Sequence, residues 1–456
     1  MVRYIPLLLA LLLYQPLLAQ ETALDRYIQQ GLESNLALKQ QQFSLEQSME
    51  ALNEARGMFF PSLDLGARYT RAGGGREFVI PVGDLVNPIY QTLNQLLISQ
   101  GLPPSFPEDI PNETIPFLRE KEQETRLRLV QPLFQPAIWS NYNLKSDLSK
   151  VEQLRTEIFK RELVLEIKRA YYNYLKAINV VDLYKKIIDL QNENLRVSEK
   201  LYEAGKATQN VVYRARAELG RTEQENLKVQ NLSRQSRSYV NFILNRPLDS
   251  EIEKPQTELI PVPELNDIEN ATEHALSSRE EIEQIKMAIS ASGENAAIIR
   301  SRYFPGISAV ADYGFQGSEY RFSDKDDYWM ASLVLEWNIF KGFQDKAKLQ
   351  QARIESQKLQ TKEEEIKRRI VLEVERIMDN LAVARKSVDV AEEQLQSARL
   401  SFKIVNKKYQ EGIAPQIEYL DAQTTLSDAA VNAILTRYDY YITHAQYERI
   451  LALYSF

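Results

Sequence analysis

Along most of the chain, apolar residues recur every three or four positions, as they do on one face of a helix. Residues 22–57 show this first, with Leu24, Ile28, Leu32, Leu36 and Leu45, and predict one helix. Residues 266–302 repeat it: Ile268, Leu276, Ile282 and Ile285 stand 244 positions after Leu24, Leu32, Leu38 and Gln41. The period then falls to two. Leu63, Leu65, Ala67 and Tyr69 alternate with Ser62, Asp64, Gly66, Arg68 and Thr70, and Ile307, Ala309, Ala311, Tyr313 and Phe315 with Ser308, Asp312, Gly314 and Gln316. Trp329, Ala331, Leu333, Leu335, Trp337 and Ile339 alternate with Ser332, Glu336 and Asn338; in a weaker series Leu127, Leu129 and Leu133 alternate with Arg126 and Arg128. These segments predict strands over 61–71, 125–134, 305–316 and 328–340, paired as hairpins at about 59–135 and about 303–340. Pro61 and Pro305 open the first strand of each pair, where a missing N–H costs least. Residues 72–124 form a long loop in the first hairpin, dense in proline and too irregular for strand.

The helical period resumes over 139–204 and 342–411, each about 66–70 residues and so about 100 Å of helix. In the second, Ile377, Leu381, Ala384, Val388, Ala391, Leu395, Ala398, Phe402, Val405 and Tyr409 keep a four–three spacing, the seam of a coiled coil. Each long run ends in the same phrase. Tyr202, Gly205, Ala215 and Leu219 return as Tyr409, Gly412, Ala422 and Leu426, all 207 residues apart. Gly205 and Gly412 are placed to end a helix in the left-handed conformation, and Thr208 and Pro415 to start the next. Return helices follow at 209–245 and 416–454. Residues 246–266, with Pro247, Pro255, Pro261 and Pro263, read as an extended linker. The chain is thus a tandem duplication, 20–245 and 267–456, each half a helix, a hairpin, a very long helix, a tip and a return helix.

Charge and composition narrow the function. A net charge of −7, with no long basic block, argues against nucleic acid. The absence of cysteine excludes disulfides and thiol chemistry, and two histidines, His274 and His444, are too few for a histidine-based centre. No nucleophile–His–acid set, phosphate loop or metal-ligand spacing is present. The expectation is a protein that is not an enzyme and needs no cofactor. Arg3, the apolar run Leu7–Leu13 and Pro16–Ala19 read as a secretory signal over residues 1–19. After it, no stretch of about 18 apolar residues could span a bilayer as a helix. Membrane entry would therefore be by β-strands. Strict alternation over 10–12 residues with terminal aromatics fits transmembrane strands, although soluble hairpins with one wet face share it. Four strands cannot close a barrel; two chains would supply eight and three would supply twelve.

The paired strands beginning at Phe60-Pro61 and Phe304-Pro305, the tips around Gly205 and Gly412, and the run Ile417-Glu418-Tyr419-Leu420-Asp421-Ala422-Gln423 resemble the TolC family of outer-membrane efflux proteins over essentially the whole mature chain. The resemblance implies a homotrimer in the outer membrane of a Gram-negative bacterium. Its mainly α fold would join a coiled-coil helical barrel in the periplasm to a shared 12-stranded β-barrel in outer-membrane lipid. It also implies docking onto a periplasmic adaptor (membrane fusion protein) and an inner-membrane transporter. The function it points to is the passive exit duct of a tripartite efflux pump for small molecules such as drugs. Type I protein secretion and metal-cation efflux are the alternatives. A periplasmic coiled-coil scaffold that never inserts is a further one.

Candidate residues follow from this frame. Glu418 and Asp421, three apart on one helical face, match acidic residues that line the family's periplasmic entrance; six in a trimer would favour cations. Two acids in a first turn also suit the helix dipole. Tyr409 matches one partner of the family's closing links, but Ala414 and Val211 stand where charged partners would be, so a charged lock is not expected. Tyr409 would bond Asn210 instead, or apolar packing would hold the gate. Gly205, Thr208, Gly412 and Pro415 mark the tips that would meet the adaptor. Trp329 and Trp337 are assigned to an aromatic girdle.

Overall fold

The computed structural model describes residues 22–255 and 267–454, so the expected signal segment, 1–19, lies outside the described residues. The described elements run α1 (Ala23–Ser34), α2 (Leu36–Gly57), β1 (Ser62–Arg71), β2 (Glu77–Ile80), α3 (Val82–Ser99), β3 (Glu113–Pro116), β4 (Lys121–Phe134), α4 (Pro136–Glu203) and α5 (Gln209–Ile243). They continue with α6 (Ile268–Ser278), α7 (Glu280–Ser301), β5 (Gly306–Gly317), β6 (Asp327–Glu336), α8 (Gln344–Gln410) and α9 (Gln416–Ile450). The two long helices are 68 and 67 residues, and both return helices are 35.

One compact unit comprises the described residues of Met1–Ala51, Leu144–Gly293 and Arg353–Phe456. Its first core gathers Tyr27, Ile28 and Leu38 with Ile167, Tyr171, Tyr172, Leu175, Val240 and Leu244. A second gathers Ile282, Ile370, Val374, Ile377 and Leu381 with Tyr440, Tyr447 and Leu451. Every residue of the 377–409 seam is buried or half-buried, as a four–three spacing requires of a helix pressed along one side. The expected single helices over 22–57 and 266–302 are each broken, at Asn35 and Arg279, whose ψ angles of 124° and 126° are extended. Side chains cause the breaks. Asn35 Oδ1 accepts from the amides of Ala37 and Leu38, both at 3.0 Å, and its Nδ2 donates to Ile243 O at 2.8 Å. Arg279 is buried and ion-paired to Glu281 at 2.6 Å and Glu373 at 2.5 Å. Around it Arg161 meets Glu280 at 2.6 Å, and Arg449 meets Glu162 at 3.0 Å and Glu281 at 3.3 Å. Burial alone would raise the Glu281 carboxyl; hydrogen bonding and charge from Arg279, with Arg449 beside it, hold it below the usual range. The described part of 246–266 is not an extended tether. Ile252 is buried, Glu253 N donates to Tyr27 Oη at 2.9 Å, and Tyr171 Oη donates to Glu253 O at 3.0 Å.

The second unit, Leu52–Asn143 with Glu294–Ala352, holds the strands. The two hairpins join through β4 and β5 into one antiparallel sheet of order β1-β4-β5-β6. Its register sorts the faces. Leu63 aligns with Leu129, Ala311 and Ala331, and Leu65 with Leu127, Tyr313 and Trp329, on an apolar face left open; Leu65 is 72% and Trp329 78% exposed. The opposite face carries Asp64, Arg68, Glu124, Arg126, Arg128, Asp312 and Gln316, with Arg128 bidentate on Asp312 at 2.7 and 2.9 Å. Among the described residues both edges, β1 and β6, are unpaired. The fourth strand stops at Glu336 rather than 340, and the chain then turns at Gly342 and Phe343, both at positive φ.

The loop 72–124 departs most from expectation. It contains an 18-residue helix, α3, and the small antiparallel pair β2–β3. Proline density misleads here because most of it lies outside the helix. Pro81 is the N-cap, Gly101 ends the helix at φ 76°, and Pro103 and Pro104 follow; only Pro88 lies within.

Candidate functional site

The two tips are built alike. At the first, Gly205 N donates to Tyr202 O at 2.9 Å and Lys206 N to Leu201 O at 2.8 Å; at the second, Gly412 N donates to Tyr409 O at 3.0 Å and Ile413 N to Lys408 O at 2.8 Å. This pair of bonds is a Schellman motif and requires a left-handed residue at its centre, here Gly205 at φ 68° and Gly412 at φ 73°. A Cβ added to either glycine would meet nothing within 4 Å, so backbone conformation alone calls for glycine. Thr208 and Pro415 are the N-caps of α5 and α9, neither with a side-chain capping bond.

The described hydrogen bond between the tips rests on Gln416, which is not among the candidate residues. Gln416 Nε2 donates to Val211 O at 2.9 Å and lies 3.5 Å from Ser198 Oγ. Within the second tip, Tyr409 of α8 stacks on Tyr419 of α9, centroids 4.7 Å apart and planes at 25°, and Phe402 packs on the same ring at 5.6 Å. Tyr419 is buried, which pushes its hydroxyl up to about 12, with Tyr409 and Glu193 adding to the effect. Burial also raises Tyr409, whose hydroxyl lies against Ser198 without a well-formed hydrogen bond. No described hydrogen bond joins Tyr409 to Asn210, which is exposed in the first turn of α5; the amide–carbonyl bond from Gln416 to Val211 joins the two tips within the chain, and aromatic packing closes the second tip on itself. One signal for Gln416 was available: Gln209 stands 207 residues before it, at the same place after the first tip. Further along these helices, both polar side-chain atoms of Asn194 and Gln423 are buried without hydrogen-bond partners.

Glu418 and Asp421 lie on α9 just past the second tip, both exposed, and neither has a salt bridge among the described residues. Trp329 sits on the apolar sheet face, aligned with Tyr313. Trp337, eight residues on, is exposed just beyond β6 and donates Nε1–H to Tyr303 O at 3.1 Å. Eight residues of strand span about 27 Å, close to the height of a lipid-facing band. Among the described residues, no three His, Asp or Glu side chains are grouped so as to hold a metal ion, and no helix is long and apolar enough to cross a membrane.

Residues 271–452 match the family described as Outer membrane efflux protein. The chain is 20% identical over 443 residues to the outer membrane protein TolC of Salmonella enteritidis, covering 93% of this chain and 81% of that one. It is 22% identical over 446 residues to TolC of Escherichia coli K12, with the same coverage. Among solved structures, the Campylobacter jejuni CmeC outer membrane channel superposes with a TM-score of 0.77 at 14% identity, over 94% of this chain and 85% of that one. The resemblance drawn from the tip motifs and paired strands is borne out.

Proposed function

The chain is an outer-membrane protein of the TolC-like efflux family, and from that premise we propose that it is the passive exit duct of a tripartite pump for small molecules. The observation that carries this is the four-stranded sheet with one open apolar face, one charged face and two unpaired edges. An unpaired edge in hydrocarbon leaves backbone groups without partners, so β1 of one copy pairs with β6 of the next. Three copies close twelve strands, wide enough for a lumen lined by the charged face. Trp329 and Trp337 then mark the two borders of the lipid band. Glu418 and Asp421 of three copies form a ring of carboxylates at the helical entrance that favours cations. The tips at Gly205, Thr208, Gly412 and Pro415 dock on a periplasmic adaptor, which couples the duct to an inner-membrane transporter that supplies the energy.

The test uses the cysteine-free background. Lys206→Cys or Ile413→Cys is crosslinked in intact cells, and the captured protein is identified by mass spectrometry. An adaptor is the expected capture, and the transporter that co-purifies names the cargo class. Trimers in the outer membrane that capture nothing at either position overturn the tripartite assignment.

A further inference from the structure

The segment between β1 and β4 is a built subdomain with one unpartnered face. Ala72 N donates to Glu120 O at 3.0 Å and extends the β1–β4 ladder into it. One side of α3, the line 83-87-90-94, is pinned by the chain that follows. Gly83 lies so close that an added Cβ would fall 2.0 Å from Ile110 O. Asn87 exchanges bonds of 3.0 and 2.8 Å with Ile110, and Tyr90 packs on Phe106 at 5.2 Å. Asn94, buried, donates to Phe106 O at 2.9 Å and accepts from Ser105 N and Phe106 N, both at 3.0 Å. The helix is therefore fixed in orientation, and its opposite side faces outward.

That opposite side has the form of a helix-packing seam. Leu85, Ile89, Thr92, Leu96 and Ser99 follow a four–three spacing, with Leu93 alongside, and all are exposed. The two hydroxyls on the seam are already satisfied: Thr92 Oγ1 donates to Pro88 O at 2.8 Å and Ser99 Oγ to Leu96 O at 2.7 Å. Covering the seam would strand no donor. The occupant follows from charge and position. Asp84 is the only charged residue in α3, and it lies off the seam, so copies of the helix do not repel one another. The helix has no Lys or Arg to hold anionic headgroups, which disfavours a lipid surface. The subdomain grows from β1, the edge strand that meets the next copy in the proposed trimer.

We propose that the 85-89-92-96 seam of α3 packs against the same seam of its neighbours and closes the outer mouth as a three-helix cap. The proposal rests on the trimeric reading, and its test separates the two. Ile89→Cys and Leu96→Cys, on the seam, are compared with Gln91→Cys and Gln95→Cys, on the flanks, under mild oxidation in membranes. Interchain disulfides at 89 and 96, at least ten-fold above 91 and 95, are expected. In addition, Ile89→Glu with Leu96→Glu should raise the time spent in the open-mouth conductance several-fold in planar bilayers, without altering the heat-resistant trimer. A heat-resistant trimer with no enrichment at 89 and 96 overturns the cap and leaves the duct standing. Quenching of a bimane label at 96 by brominated lipid assigns the seam to the membrane surface and also overturns the cap. Loss of the trimer in the unsubstituted protein overturns the duct itself.

Discussion

The Schellman motif occurs at both ends of the return helices, which makes it a controlled test of why the tips carry glycine. Besides Gly205 and Gly412, the same bonds form at Asn245 (φ 52°) and Ala452 (φ 54°), again 207 residues apart: Arg246 N to Asn241 O at 2.8 Å, and Leu453 N to Glu448 O at 2.9 Å. Replacing Gly205 or Gly412 by alanine introduces no clash, because nothing lies within 4 Å of the new Cβ. Only the left-handed backbone is penalised, by about 1 kcal/mol, which raises local opening about five-fold. The reverse change, Ala452→Gly, relieves a similar strain. It also removes a buried methyl worth about 0.8 kcal/mol and adds unfolded-chain entropy, so its net effect lies near zero. The assay is native-state hydrogen exchange of the amides of Lys206 and Ile413, which close the motifs, with Leu453 as reference. Faster exchange of about five-fold at the substituted tip, with global stability unchanged, is expected. Unchanged exchange in both tip variants would refute the strain argument. A loss of 3 kcal/mol or more would refute it too, by requiring a contact at these glycines that the structure does not contain.

Other consequences are as specific. Arg279→Ala leaves Glu281 and Glu373 without their buried partner and should cost about 3 kcal/mol, read from the urea midpoint of solubilised protein. Since Glu281 titrates below its unfolded value of about 4.3, its ion pair stabilises fully above that pH and is lost as pH falls through the lower folded value; the variant should show a shallower acid limb. In the sheet, Gly314→Ala would bring a Cβ within 2.5 Å of Thr125 O and 2.8 Å of Arg126 Cβ and should sharply reduce membrane-inserted protein on fractionation. Gly66→Ala, across the same Arg126 with nothing within 4 Å, should assemble normally. Glu418→Ala with Asp421→Ala should lower cation selectivity and weaken multivalent-cation block in planar bilayers; unchanged values of both would remove the carboxylate ring from the proposal.

What the sequence determined by itself is the local backbone and the side each element turns to its surroundings. Period two over 61–71 and 305–316 placed β1 and β5 within a residue or two, and the four–three seam from Ile377 to Tyr409 identified the covered side of the second half of α8. The repeated Tyr–Gly phrase located both tips, because a left-handed residue ending a helix is a one-residue requirement that glycine meets. Tertiary structure decided the rest. The breaks at Asn35 and Arg279 depend on partners as distant as Ile243 and Glu373, and the helical period continues across both breaks. α3 was hidden because its prolines signal a stop, whereas backbone from the chain after it, held by Asn87 and Asn94, sustains the helix. The bond from Gln416 to Val211 joins helices roughly 200 residues apart in the chain. A hydrophobic period states that a face will be covered. Only the packed structure supplies the group that covers it, because a contact between distant segments leaves no period in either one.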